Sequence, residues 1–362
     1  MLATNSTMTA KVNEPTPQAD GLEHRAKLLE IATRLCAGQV NSIAEAGAGA
    51  NSRILKVTSG GNTYALKFYR DGAVERCSRL ITESKALRFM AQNQVVDVPQ
   101  LIATDMEANC ALMEWLDGST VESIGPSEIQ QTCRFIEILH DLRHAESAGE
   151  IAPGVEQCLS GADLVQQLNS RLARLRQSDD ARLHKFLDQM FVSLVEEVVA
   201  WSTAAFNSID LSFSERIDRA KQTLSPVDFG LHNALRRKNG NIAFLDFEYF
   251  GWADPVQLVV DTLQHPGMSM PHADRQLFFD LCKRLFVCNS DFYPRVKNMF
   301  PLFGLRWCTI MLNAFLPQYR RPGDQYPHGL SEMQFRKHQL ELVVARTVAI
   351  QSHYQIFPYS DL

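Results

Sequence analysis

Ser225-Pro226-Val227-Asp228-Phe229-Gly230-Leu231-His232-Asn233-Ala234-Leu235 is the stretch on which the reading turns, together with Ile242-Ala243-Phe244-Leu245-Asp246-Phe247-Glu248-Tyr249-Phe250-Gly251-Trp252-Ala253-Asp254-Pro255. Short apolar strands here flank polar loops. Asp228 and Asn233 lie five apart on one loop, and Asp246 follows 18 residues after Asp228, at the end of the strand 242–245. A hairpin between the two segments would gather all three side chains. That set suits phosphoryl transfer. Magnesium takes hard oxygen ligands and shares phosphate oxygens, so one carboxylate and one amide suffice. A separate carboxylate can accept the proton of an incoming hydroxyl.

Outward from this stretch, Asp254-Pro255 reads as N-cap and first residue of a helix. The segments 128–143 (capped by Ser127), 163–177 and 186–201 carry helical periodicity. Upstream the character differs. Residues 53–58 alternate as a half-buried strand, Ser59-Gly60-Gly61-Asn62 is a turn signal, and residues 63–69 return as a second strand. Residues 46–52, small and glycine-containing, read as a loop that admits close approach of a ligand. Helices are expected over 22–36 and 74–92, and strands over 101–103 and 110–116. The polar residues 1–22 read as a disordered tail without a secretory core.

Composition narrows the function classes. The 362 residues are 45% hydrophobic and 21% charged, as a globular chain is. With 36 basic against 41 acidic residues, the net charge is -5, which speaks against nonspecific nucleic-acid binding. No apolar run reaches membrane-span length, so no membrane partner is expected. Eight scattered cysteines form no C-x-x-C pair, which favours free thiols and a cytoplasmic location over zinc or disulfides.

The stretch resembles the catalytic segment of the aminoglycoside phosphotransferase and choline kinase superfamily, which has the protein-kinase-like fold. The family pattern is H-x-D-x-x-x-x-N, a short hairpin, then I-D-[WF]-E-x-x-x-x-x-D-P. Asp228, Asn233, Asp246, Phe247, Glu248, Asp254 and Pro255 match it in type and spacing, while the histidine position is Pro226. The resemblance implies Asp228 as catalytic base and Asn233 and Asp246 as Mg2+ ligands. It also implies ATP as donor. Lys67 would contact the phosphates, and Glu83 would hold that lysine. Gly47 and Gly49 would cover the nucleotide, although the loop is not a full G-x-G-x-x-G. Glu114 and Leu116 would present backbone to adenine.

The expected fold is therefore α+β and bilobal. A β-rich nucleotide-binding lobe would span residues 23–116, with a five-stranded sheet and one main helix. A mostly helical lobe would span 117–362 and bind a small-molecule hydroxyl acceptor. From His265 to Leu362 there are 11 Lys/Arg and 7 Asp/Glu. That basic balance favours a sugar-like or anionic acceptor over a polycationic aminoglycoside. Choline or ethanolamine would need an aromatic cage, for which Trp252, Trp307, Tyr319 and Tyr326 are candidates. A catalytically silent nucleotide-binding module is the reading from another class. His232 has no zinc-type partners in the sequence and is expected to pack the loop. His140 and His144 read as surface residues.

Overall fold

The computed structural model describes residues 17–48, 52–70, 78–268, 270–319, 326 and 329–357. Two compact units divide the chain. One comprises the described residues of 1–71 with 101–115, the other those of 72–100 with 116–362.

The first unit holds helix α1 (Pro17–Cys36) and strands β1 (Val40–Ala48), β2 (Ser52–Ser59) and β3 (Asn62–Tyr69), then β4 (Leu101–Asp105) and β5 (Cys110–Glu114). The strands form one antiparallel sheet of five, in the order β1-β2-β3-β5-β4. Gly60 and Gly61 turn β2 into β3 with φ of 57° and 83°. Two consecutive left-handed residues make the hairpin turn whose twist matches the strands. Leu28, Ile31 and Ala32 of α1 pack on Leu55, Val57, Leu66, Cys110 and Leu112 of the sheet. Arg34 pairs with Asp105 across the same contact. Of the expected polar tail 1–22, residues 1–16 lie outside the described residues, and a helix already begins at Pro17. The loop expected over 46–52 is shorter than its glycines suggest. β1 runs through Ala48 and β2 begins at Ser52, because pairing with β2 resumes after an irregularity between Glu45 and Gly47.

The second unit begins with α2 (Ser78–Gln92), expected in the β-rich lobe. The physical reason lies in its inner face, where Phe89 meets Phe250 at 6.4 Å between ring centroids and Glu83 accepts a backbone bond from Phe247. The chain continues through β6 (Ser119–Thr120), α3 (Pro126–Asp141), α4 (Gly161–Leu175), α5 (Ala181–Phe186) and α6 (Val192–Asn207). A π-helical turn at Leu187–Phe191 joins the last two. Ser127 does not cap α3. Pro126 takes the first helical position, where its fixed φ and missing N–H are harmless, and the Glu128 carboxylate accepts the Gly125 N–H at 3.0 Å. Then come β7 (Thr223–Ser225), β8 (Ala234–Arg236), β9 (Ile242–Phe244), β10 (Gly251–Ala253), α7 (Pro255–Gln264), α8 (His272–Leu285), α9 (Phe292–Met311) and α10 (Glu332–His353). No described cysteine is in a disulfide. Among the described residues no helix is long and apolar enough to cross a membrane.

Helix α7 is buried along its whole length. Its start is fixed by Asp254, whose Oδ1 accepts the Val256 N–H at 2.8 Å. The same carboxylate pairs with Arg295 of α9, and both side chains are buried. Removing one partner strands a buried charge. Asp254→Ala is therefore expected to cost about 3–5 kcal/mol in chemical denaturation.

His140 is not a surface residue. It is half-buried on α3, with Nδ1 3.1 Å from Thr223 Oγ1 and its ring edge-on to Phe286 at 4.9 Å. Burial, reinforced by Arg143 and His144, pushes its pKa down to about 4. An unfolded chain takes up a proton there below about pH 6.5, where the folded chain does not. Stability is therefore expected to fall as pH drops from about 6.5 toward 4. His140→Gln should flatten that part of a stability–pH curve measured by denaturant titration.

Candidate active site

Two small sheets frame the loops that carry Asp228, Asn233 and Asp246. β7 pairs with β10, with Ser225 opposite Gly251. β8 pairs with β9, with Ala234 opposite Phe244, and β6 extends that sheet. Segment 226–233 therefore leaves one sheet and enters the other, and segment 245–250 makes the return journey beside it. The bond from Leu245 N–H to Asn233 O, 2.8 Å, continues the second ladder into the loops. Gly251 is required at the crossing. A Cβ there would lie 2.5 Å from Ala152 O and from Gly154 N, which are backbone atoms that cannot swing away.

Rings hold the frame from below. Phe135 of α3 stacks on Phe244 at 4.4 Å and on Phe229 at 5.9 Å, and lies 6.2 Å from Phe247. Phe229 and Phe247 follow the two aspartates by one residue. Each inward ring therefore sets the direction of the carboxylate before it.

Backbone geometry sharpens both acidic positions. Val227 has φ 68° and Asp246 has φ 67°. The Asp228 N–H bonds to Pro226 O at 2.9 Å, which closes a three-residue turn around Val227. A β-branched residue with positive φ is strained, and such strain gathers at functional sites. The Ser225 hydroxyl accepts the Val227 N–H at 3.0 Å and holds the turn.

Asp228 is held by one imidazole and neighboured by a second. His232 Nε2 lies 3.2 Å from Asp228 Oδ1, and His265 Nε2 lies 3.5 Å from the same oxygen. Burial raises the carboxyl's pKa, but the His232 hydrogen bond and the two neighbouring imidazoles outweigh it, and the net direction is down. Burial pushes His265 to about 4, so it is neutral at pH 7. His232 thus does more than pack the loop. His265 was invisible in the sequence, because it ends α7, 37 residues beyond Asp228, where His-Pro-Gly reads only as a helix terminator.

Asn233 donates from Nδ2 to Asp228 O at 3.1 Å. Its amide oxygen is then the atom that can face a cation. The Asp246 carboxylate groups with those of Glu83 and Glu248, all within 4.8 Å of one another. This donor set of hard oxygens fits a magnesium ion. Asp228 is not in that group.

The other expected residues are placed as follows. Lys67 is buried in β3, with its ammonium 5.0 Å from the Tyr69 ring centroid. Glu83 is buried in α2 and accepts the Phe247 N–H at 3.1 Å. Gly47 sits in β1 opposite Ile54. Gly49 lies outside the described residues. Glu114 ends β5 opposite Tyr64, and Leu116 is buried at the start of the helical unit.

Comparison with known proteins identifies a phosphotransferase of kinase-like architecture. The sequence profile of the phosphotransferase enzyme family matches residues 42–278. The chain belongs to that family. No curated protein matches the sequence. Among solved structures, a spectinomycin phosphotransferase in complex with ADP and spectinomycin has a TM-score of 0.57 at 13% identity, over 91% of this chain and 98% of that one. A choline kinase from Streptococcus pneumoniae has a TM-score of 0.57 at 12% identity, over 90% and 99%. A choline kinase from Cryptosporidium parvum has a TM-score of 0.59 at 10% identity, over 92% and 98%. The fold is thus the bilobal α+β, protein-kinase-like one that the catalytic stretch implies.

The bond from Glu83 to Phe247 ties α2 to the Asp246 loop. Glu83→Leu would leave a buried N–H unpaired, and is expected to cost about 1–3 kcal/mol in thermal or chemical unfolding. Glu83→Gln keeps an acceptor and should cost less.

Proposed function

We propose that this chain transfers the γ-phosphoryl group of ATP, in the presence of Mg2+, to a hydroxyl of a small molecule. The observation that carries the reading is Asp228, an ionised carboxylate on a strained turn, with Oδ1 held by His232. Such a group can accept the acceptor's proton and align its oxygen with phosphorus. Asn233 and Asp246 would hold the metal ion, which neutralises charge on the phosphates. Lys67 is assigned to the phosphates, with Glu83 supporting the catalytic elements. Gly47, Gly49 and the backbone of Glu114 and Leu116 are assigned to the nucleotide. The neighbours crystallised with nucleotides support ATP as donor.

For the acceptor, a sugar-like or anionic molecule is favoured. The carboxyl-terminal region carries the basic excess already noted. The candidate choline cage is incomplete, since Arg219 covers the Trp252 ring at 3.3 Å and Trp252 Nε1 bonds to Ala148 O. Aminoglycosides, choline and ethanolamine remain the alternatives that the neighbours' names supply.

The test is transfer of label from γ-labelled ATP into a pooled metabolite extract with Mg2+. Wild type should label a small molecule, and Asp228→Asn should reduce the rate by about 10²–10⁴-fold. Nucleotide binding without transfer by wild type would instead support a silent module.

A further inference from the structure

The turn after α7 reaches the catalytic loop at three points. Met268 Sδ accepts the Leu231 N–H at 3.0 Å. The His265 ring stacks on His232, with centroids 3.7 Å apart and planes 4° from parallel. His265 Nε2 faces Asp228 Oδ1. Each ring nitrogen has a definable role. Gly267 N–H donates to His265 Nδ1 at 2.9 Å, so Nδ1 is bare and Nε2 carries the proton. An ionised carboxylate only accepts, so His232 Nε2 is also a donor. His232 Nε2–H thus donates to Oδ1 of Asp228, and His265 Nε2 lies 3.5 Å from the same oxygen without a hydrogen bond to it.

A shared metal ion is the rival explanation, since the three residues' ligand atoms lie within 4.8 Å of one another. The stacking argues against it. Parallel rings aim their in-plane lone pairs side by side, and an ion about 2.0–2.1 Å from each nitrogen cannot lie in both planes. Plain packing is the other rival, and it does not explain why His265 stacks on the one ring that bonds to Oδ1. The second rank of contacts supports positioning. Trp307 stands edge-on to His265 at 4.6 Å, and its Nε1 donates to Asp261 Oδ1 at 2.9 Å. Asp261 is in turn paired with buried Arg306. The His265 ring is thereby fixed by a second contact besides His232.

We propose that His232 and His265 are a stacked pair of positioning residues that hold Oδ1 of Asp228, so that Oδ2 is presented to the acceptor hydroxyl. This rests on Asp228 being the base. His232 makes the hydrogen bond, and His265 keeps its ring in plane.

The test uses the full chain with Mg2+ and ATP, with water as the acceptor and Asp228→Asn as the reference. His232→Phe keeps a ring and removes the donor. It should lower kcat about 10- to 100-fold, with KM for ATP within about two-fold. His265→Ala, which removes the stacked ring, should lower kcat less, by about 3- to 10-fold. His265→Phe, which keeps a flat ring against His232, should recover most of that loss. Kinetics of His232→Phe or His265→Ala equal to wild type, or His265→Phe no better than His265→Ala, would overturn the pair's role. Nitrogen-15 long-range NMR of the histidines reads the same geometry without turnover. Both Nε2 atoms should be protonated, and Asp228→Ala should shift that of His232. A protonated His265 Nδ1, or no shift in Asp228→Ala, would refute the proposal. Absence of Asp228-dependent turnover in wild type would strike the phosphotransfer reading alone, and the NMR result would still decide whether the imidazoles hold the carboxylate.

Discussion

The contact of Phe135 with Phe229, Phe244 and Phe247 is the constraint on which the rest of the site depends. Each aromatic pair contributes about 0.5–1.5 kcal/mol beyond its buried area. More important is what the rings fix. Phe229 and Phe247 each follow an aspartate, so their burial against one helix residue turns both carboxylates outward from the core. A smaller residue at 135 would leave two loops without a common floor.

Above that floor, closure does the work that loop chemistry alone could not. Segments 226–233 and 245–250 are each pinned at both ends by strand pairing. Short pinned loops have few conformations, and the positive φ values at Val227 and Asp246 persist because both ends are determined elsewhere. Pro226 fits this scheme. Its carbonyl closes the turn onto the Asp228 N–H, a contact that needs no side-chain donor. Asp254 extends the same frame, since it caps the helix that follows β10 and meets Arg295.

Charge is distributed in two groups. Asp228 faces two imidazoles, while Asp246 stands with Glu83 and Glu248. The first arrangement favours a deprotonated carboxylate with little cost of charge crowding. The second gathers three carboxylates, of which Glu248 is paired with Arg79, into a set of hard oxygens that suits a divalent cation.

Much of the frame was legible because it is local. The spacing of Asp228, Asn233 and Asp246, the hairpin at Gly60 and Gly61, and the Asp254-Pro255 helix start are determined by turn and cap chemistry within a few residues. The family pattern likewise lies on contiguous segments. Other features were not legible. Gly47 belongs to a strand because β2 pairs with it. Glu83 bonds to a backbone 164 residues away. Trp252 lost its open face to Arg219. His265 meets Asp228 only because α7 is buried and ends beside the loop. The sequence by itself determined which residues could do chemistry and the local turns that present them. Only the tertiary structure decided what stands against each carboxylate, because those neighbours come from distant segments brought together by packing of apolar faces, which leaves no periodic trace at the polar positions themselves.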